Sequence, residues 1–425
     1  MKWANAGKYH LQDKQALKHL SSLYKAFINP EYRVCNYCMN ISQKNKTEKL
    51  KIGIDARILS RPLTGIGRYT LEMCRALNKT GIFNLYLYSP APINSEHLKY
   101  LDGSSFRIQG FDNIVHRQVW AGLYLPLMAR RDEIDLFWGP AHRLPRLLPS
   151  NIAKIVTIHD LVWKYFGETM RPASRLLEKY QMPNSIRSSH HIITVSQSTA
   201  TAVLKEYEVE PSKINVVYPA ATLRPDVPPF SKLSELGIDK PFYLFVGTPE
   251  PRKNICRLLK AHAGLSTNLK EKAMLVIAGG HGWGDLQLAK VIEDLDISSS
   301  VLVTGYVDET VLAALYANTM FLAMPSLYEG FGLPIIEAMS RGKPVLTSNN
   351  SSMPEVAGNS GLLVDALSVN SILCGLEKLI DDKKLRQKLA ANALRNAQRY
   401  DWGKSAGQLA KIFARTVAAV NSQQK

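Results

Sequence analysis

Pro325-Ser326-Leu327-Tyr328-Glu329-Gly330-Phe331-Gly332-Leu333-Pro334-Ile335-Ile336-Glu337-Ala338-Met339 decides the fold. The apolar run before it, residues 320–324, reads as a strand. Pro334 falls in the first turn of a helix, where its missing amide hydrogen is tolerated. Gly330 and Gly332 allow a tight backbone with exposed amides between the two elements. Strand, glycine turn and helix N-terminus in that order form the ligand end of a βα unit in a parallel sheet. Glu329 stands before the helix and Glu337 one turn inside it. Carboxylates there can act on the helix dipole alone, for roughly 0.3–1 kcal/mol each. Two glutamates framing a glycine turn at a cleft also suit the hydroxyls of a sugar or ribose, and this second reading is preferred.

Outward from this stretch, short apolar runs alternate with amphipathic ones, the pattern of an α/β chain with parallel sheets. In the second half, strands are expected at residues 242–247, 274–278, 301–304, 320–324, 344–347 and 362–364. In the first half they are expected at residues 51–55, 84–89, 134–138, 153–158, 191–195 and 214–218. Between the two series runs a proline-rich stretch with Pro225, Pro228 and Pro229, which reads as a linker. The expected organisation is a basic extension over residues 1–48, a Rossmann-like domain over 49–220 and a linker over 221–241. A second Rossmann-like domain over 242–402 and a C-terminal helix over 403–425, packing back on the first domain, complete it. Two such sheets face each other across a cleft, and ligands bind at the C-terminal ends of the strands.

Three further segments fall at those ends. Gly247-Thr248-Pro249-Glu250-Pro251-Arg252-Lys253-Asn254 leads from a strand into a helix beginning near Ile255. Two cations beside a helix N-terminus oppose its dipole. A bound anion would resolve the conflict, at roughly 1.5–3 kcal/mol for each charged hydrogen bond; a solvated charge pair is the plainer alternative. Residues 53–69 contain Gly65 and Gly67 at a helix start, where backbone amides favour an anion, although the glycines can equally serve the turn alone. Met73, Cys74 and Leu77 would form the buried stripe of that helix. His159 and Asp160 follow the strand at 153–158, where a buried, satisfied histidine competes with a functional one.

The chain has 425 residues, 46% of them apolar, enough to bury cores for two or three domains. No run of eighteen apolar residues is present, and Lys8, Lys14 and Lys18 interrupt the N-terminus, so neither a spanning helix nor a signal peptide is read. A cytoplasmic location follows as the expectation. Five cysteines do not make a disulfide framework, and Cys35-x-x-Cys38 lacks two further ligands for zinc. The net charge is +17, and residues 1–51 hold ten Lys or Arg against three Asp or Glu. That extension, with a short helix expected at 15–27, has no assigned role. The positive charge suits an anionic membrane surface or anionic substrates. A solvated tail without a role is the plainer alternative. Nucleic acid ranks last because no binding motif accompanies the charge.

The Glu329-x7-Glu337 spacing resembles the retaining family-4 glycosyltransferases of the GT-B fold, and Glu250-Pro-Arg-Lys-Asn254 supports the likeness. It runs from Lys51 to about Val420. Gly53-Ile-Asp-Ala-Arg57, Thr64-Gly-Ile-Gly-Arg-Tyr69, Gly279-Gly-His-Gly-Trp283 and Ser351-Ser-Met-Pro-Glu-Val-Ala-Gly358 narrow it toward bacterial lipopolysaccharide O-antigen mannosyltransferases. The resemblance implies an N-terminal acceptor domain and a C-terminal nucleotide-sugar domain. It implies that Arg252 and Lys253 hold the donor diphosphate and Glu337 the ribose. Glu329, with the amides of Phe331, Gly332 and Leu333, would lie by the donor sugar or phosphates. Tyr306 and Val307 would line the base pocket, His159 would contact the transferred sugar, and the Gly65–Gly67 loop would meet the diphosphate. Tyr69, Trp163 and Arg171 are the implied acceptor contacts. The sequence departs from many members at Thr248, where they carry arginine, which shifts phosphate binding toward Arg252 and Lys253.

The implied reaction moves a hexose, mannose from GDP-mannose first, onto a glycan or polyprenyl-linked sugar. Attack on the same face would retain configuration, with a donor phosphate oxygen taking the acceptor proton. Fixed cations and amides would stabilise the leaving diphosphate, so neither a cofactor nor a metal is expected. Another GDP-, UDP- or dTDP-sugar is the alternative donor. A glycoside hydrolase would set its two carboxylates across a scissile bond, not around one helix start. An epimerase would need no acceptor, and a basic binding protein would not need the spaced glutamates.

Overall fold

The computed structural model describes residues 49–109, 114–222, 231–280 and 288–424. The helix expected at 15–27, the Cys35–Cys38 pair, the three linker prolines and His281 to Trp283 lie outside these residues. From Leu50 onward the chain forms one compact unit.

That unit is built on two parallel sheets. The first has seven strands in the order β3-β2-β1-β4-β5-β6-β7. They are β1 (Leu50–Asp55), β2 (Phe83–Ser89), β3 (Ser105–Ile108), β4 (Leu136–Gly139), β5 (Ala153–Ile158), β6 (His191–Thr194) and β7 (Ile214–Val216). The second has six, in the order β10-β9-β8-β11-β12-β13. They are β8 (Phe242–Val246), β9 (Met274–Ala278), β10 (Val301–Gly305), β11 (Leu322–Met324), β12 (Val345–Ser348) and β13 (Gly361–Val364).

Alternation along the strands explains why helices cover both faces. Leu136 and Trp138 of β4 join one cluster while Phe137 joins another. Phe242 and Leu244 of β8 likewise point opposite to Tyr243 and Phe245. Strands buried on both faces read as nearly continuous apolar runs. Each such Leu or Phe contributes roughly 1.5–3 kcal/mol by leaving water. Helix Gly65–Thr80 buries Met73, Cys74 and Leu77 completely, the stripe expected of it. Helix Trp402–Gln423, capped by the Asp401 carboxylate accepting from the Lys404 amide at 2.8 Å, packs against helix Gly65–Thr80. Its Phe413 ring lies 5.9 Å from those of Phe83 and Trp138.

Two features differ from the sequence reading. β3 was not expected; it is a four-residue edge strand, Ser-Phe-Arg-Ile, with none of its residues fully buried, so its own sequence carries little strand signal. The proline-rich stretch contains a helical turn, Ser231–Ser234, and Leu233 and Ile238 are completely buried.

Both sheets reverse their strand order once, between β1 and β4 and between β8 and β11. In doubly wound sheets the crevice at the C-terminal end of that reversal is where ligands sit.

Candidate active site

At the second reversal, the chain leaves β8 through Gly247 and Thr248, makes a tight turn over Pro251–Lys253 and enters helix Ile255–Ala263. Asn254 takes the left-handed conformation (φ 62°) that short polar side chains tolerate. Its side-chain amide donates to the carbonyls of Pro325 (2.9 Å) and Ala366 (2.7 Å), tying this turn to the exit of β11. Arg252 and Lys253 thereby meet Glu329. Lys253 Nζ donates to Glu329 Oε1 at 2.6 Å and Arg252 Nη1 to Oε2 at 3.0 Å. Ser326 Oγ adds a third hydrogen bond at 2.9 Å.

Lys253 and Glu329 are buried and Arg252 is half-buried. Burial alone would raise the Glu329 carboxyl, but Lys253 and Arg252 outweigh it and hold it down at about 2. Burial also works against the Arg252 charge, and Glu329 with Glu250 more than restores it. Lys253 is pulled below its ordinary value by burial, with the Arg252 charge adding to the pull and Glu329 opposing it. The conflict between two cations and a helix N-terminus is therefore settled by the protein itself. Glu250 pairs with Arg252 Nε at 3.0 Å and Glu329 pairs with both cations. The sequence reading left that place to a bound anion; the charge surplus is local to 247–254 and disappears once the distant Glu329 is counted.

The glycine turn sits beside this cluster. Gly332 (φ 94°) is the N-cap of helix Leu333–Ser340 and offers no side chain, so the first amides of that helix lack a side-chain cap. Phe331 turns inward, its ring 6.2 Å from Tyr218 and 5.5 Å from Tyr400, leaving only its backbone to the site. Leu333 faces Gly65, where an added Cβ would come within 3.6 Å of its Cδ1. Gly67 is buried against Leu63. Glu337 accepts from Tyr316 Oη at 2.7 Å and from Arg68 Nη1 at 3.3 Å, so the pair Arg68–Glu337 bridges the two domains. Tyr306 is largely exposed after Gly305 at the end of β10, and Val307 is half-buried.

Across the cleft, His159 follows β5. Its Nε2 lies 2.7 Å from the Pro140 carbonyl, which can only accept, so Nε2 carries the ring proton and Nδ1 keeps a lone pair. Its amide donates to His142 Nε2 at 3.0 Å, and His142 Nδ1 lies 3.3 Å from Glu178. Burial, reinforced by His142, pushes the His159 imidazole down to about 3, so it is neutral at pH 7. Gly330 packs directly on this residue: a Cβ there would stand 2.0 Å from the His159 carbonyl oxygen. The Gly330 carbonyl accepts from Ser196 Oγ (2.6 Å) and Thr199 Oγ1 (3.2 Å). Tyr328 Oη accepts from the Leu161 amide at 3.1 Å. Glu355 accepts from the amides of Gln197 (2.8 Å) and Ser198 (3.1 Å), capping helix Gln197–Glu206 from the other domain.

Of the acceptor residues expected, Tyr69 is 1% exposed and stacks edge-on to His159 at 4.7 Å, so it supports that ring from behind and does not face the cleft. Trp163 packs on Met182, and Arg171 is exposed at the start of helix Pro172–Ser188. His142, Arg68, Tyr328 and Glu355 were not singled out from sequence. Arg68, Tyr328 and Glu355 lie inside motifs that were; His142 and Glu178 had no local signal.

Two doubly wound domains closing their reversal points on each other, with a basic and acidic cluster beside an uncapped helix, define a GT-B enzyme. Two family descriptions match, "Glycosyltransferase Family 4" over residues 63–223 and "Glycosyl transferases group 1" over residues 231–396. The O-antigen chain mannosyltransferase B of Escherichia coli is 29% identical over 83% of this chain and 96% of its own length. The O-antigen chain mannosyltransferase RfbU of Salmonella typhimurium is 25% identical over 76% of this chain and 90% of its own. Anabaena HepE, solved in complex with UDP and glucose, superposes with a TM-score of 0.67 at 18% identity, covering 87% of this chain and all of that one. The chain belongs to the family-4 glycosyltransferases of the GT-B fold, alongside the O-antigen mannosyltransferases.

Proposed function

We propose that this enzyme transfers mannose from GDP-mannose, with retention, to a glycan or polyprenyl-linked sugar acceptor. The observation that carries the reading is the Lys253–Glu329–Arg252 cluster at the reversal between β8 and β11, beside the uncapped helix at Leu333. A diphosphate entering there would meet one fixed guanidinium, one fixed ammonium group and the backbone amides around Phe331 to Leu333, the donors that a leaving diphosphate needs. Glu329, ionised at neutral pH, orients Arg252 and Lys253 and accepts from a donor hydroxyl. Glu337 serves the ribose once Arg68 gives way, Tyr306 and Val307 flank the base, and the Gly65–Gly67 loop closes on the phosphates from the N-terminal domain.

His159 is neutral and already donates through Nε2, so it serves as an acceptor through Nδ1 and not as a proton source. The acceptor oxygen forms the new bond to the anomeric carbon as the bond to the diphosphate oxygen breaks. The acceptor proton passes to a phosphate oxygen of the leaving group. Domains over 49–220 and 242–402 then divide acceptor and donor between them.

Among the described residues no helix is long and apolar enough to cross a membrane. Val119, Leu123 and Leu127 are exposed at helical spacing beside Arg130 and Arg131, which supports peripheral contact with an anionic membrane. Flotation with neutral and anionic vesicles tests this; failure to bind either removes it. The donor is tested by calorimetry with GDP-mannose, UDP-glucose, UDP-N-acetylglucosamine and dTDP-rhamnose on wild type and Arg252→Ala. GDP-mannose alone should bind, and the substitution should weaken it. Selective binding of another sugar nucleotide would replace the donor, and binding of none by folded protein would end the transferase reading.

A further inference from the structure

The other reversal point, between β1 and β4, carries four arginines that the proposed transfer leaves without a task. Arg57 follows β1; its guanidinium grips Asp55 (Nε to Oδ1, 2.8 Å) and lies 5.4 Å over the Trp120 ring. Trp120 opens a π-helical turn, Trp120–Tyr124, between the helical segments Ile114–Val119 and Leu125–Arg131. Such turns sacrifice regular hydrogen bonding and concentrate at functional sites. Arg117 stands three residues earlier, on the same helical face as Trp120. Its Nε is shielded from solvent and has no hydrogen-bond partner among the described residues. Arg143 follows β4 and pairs with Glu178 at 2.8 Å. Arg61 is exposed on the loop into helix Gly65–Thr80 and has no acidic partner among the described residues.

The charges do not balance here as they do around Glu329. Asp55 answers Arg57 and Glu178 answers Arg143, which leaves Arg61 and Arg117 without a carboxylate partner among the described residues. Partial desolvation and then the neighbouring charges of Arg117, Arg143 and Arg57 pull the Arg61 guanidinium below its ordinary value. Like charges held together are repulsive until an anion comes between them. The cluster also has an address: Arg143 adjoins His142, whose Nε2 accepts from the His159 amide at 3.0 Å. It therefore lies on the N-terminal side of the cleft, in the domain opposite Arg252 and Lys253.

We propose that Arg61 and Arg117, backed by Arg57 and Arg143, bind a phosphoryl group carried by the acceptor, a glycosyl phosphate or diphosphate. The word acceptor rests on the transfer reading above; the anion site does not. Planar guanidinium forks match phosphate oxygens in pairs, and two positive charges without a carboxylate partner among the described residues match the two negative charges of a diphosphate diester. Held there, the anion would anchor the acceptor while its sugar reaches the donor.

Titration of inorganic pyrophosphate into the whole chain separates the two anion sites. Wild type should take up two equivalents. Arg61→Gln/Arg117→Gln should weaken one of them at least about tenfold, whereas Arg252→Ala should weaken the other. Arg61→Gln alone, at an exposed and unpaired position, serves if the double variant does not fold. Unchanged stoichiometry and affinity in the Arg61 variants would overturn the site. A soluble glucosyl butyl diphosphate should show the same dependence on Arg61 and Arg117. If only binding to phosphatidylglycerol vesicles depended on them, the ligand would be a lipid headgroup and the acceptor assignment would be wrong. Failure of the transfer reading appears separately, as wild type that binds pyrophosphate at the arginines but no sugar nucleotide.

Discussion

Gly330→Ala probes the closure of the two domains at its tightest point. The added Cβ would stand 2.0 Å from the His159 carbonyl oxygen and 3.1 Å from Asp160 Cβ. A carbon and a carbonyl oxygen settle at about 3.3 Å or more, so the two loops must part by about 1.3 Å. No slack is available, because the Gly330 carbonyl is held by Ser196 at 2.6 Å and Thr199 at 3.2 Å. The displacement reaches Glu329 on one side and His159 on the other. Overpacking of this kind costs about 1–3 kcal/mol, and a misplacement of about 1 Å lowers the rate about 100-fold. Sugar nucleotide affinity should fall much less, since Arg252, Lys253 and Glu337 share a domain with Gly330. Release of nucleoside diphosphate gives the rate, calorimetry gives donor affinity, and far-ultraviolet circular dichroism checks the fold. Wild-type kcat/KM in the folded alanine variant would refute the need for this contact.

Other substitutions test separate parts of the site. Glu329→Gln leaves buried Lys253 and half-buried Arg252 with Glu250 alone; losing one partner of a buried ion cluster costs about 3–5 kcal/mol, seen as a lower urea midpoint. Because a diphosphate restores the missing charge, GDP should raise the Tm of this variant more than that of wild type, and an equal or smaller rise would count against the assignment. Depression of His159 to about 3 means that its neutral form is favoured on folding. Its contribution is present above the unfolded value near 6.5 and is lost as pH falls toward 3. Between pH 6.5 and 5 the loss is about 2 kcal/mol, and urea titrations of His159→Asn should show a shallower pH dependence over that interval. Glu355→Ala removes a carboxylate that caps helix Gln197–Glu206 and accepts from Tyr218 at 2.7 Å. A loss of about 1–2 kcal/mol is expected; a denaturation midpoint identical to wild type would show that the cap is not sampled in solution.

Much of the scaffold was legible because strands buried on both faces leave apolar runs that stand out from their surroundings. Ala153–Ile158 and Met274–Ala278 were read with the bounds they have. β3 escaped because an edge strand needs only a neighbour, and Phe83–Ser89 supplies it. The turn chemistry around Gly332 and Pro334 was legible for the same local reason. Electrostatics was not: Arg252 and Glu329 are 77 residues apart, so the anion that satisfies 247–254 is invisible to any local window. The same holds for His142 with Glu178, and for Gly330, whose need for a missing Cβ comes from the carbonyl of His159 and not from its own dihedral angles. Tyr69 was taken for a surface contact because its place in Gly67-Arg-Tyr69 does not reveal which side of the helix faces the sheet.

A crystal structure with bound GDP would test the donor site most directly. The diphosphate should lie within hydrogen-bond distance of Arg252 and Lys253, against the amides of Phe331 to Leu333, with the ribose at Glu337. A diphosphate bound instead between Arg61 and Arg117, with the Lys253–Glu329–Arg252 cluster unchanged, would contradict it and move the donor to the other domain.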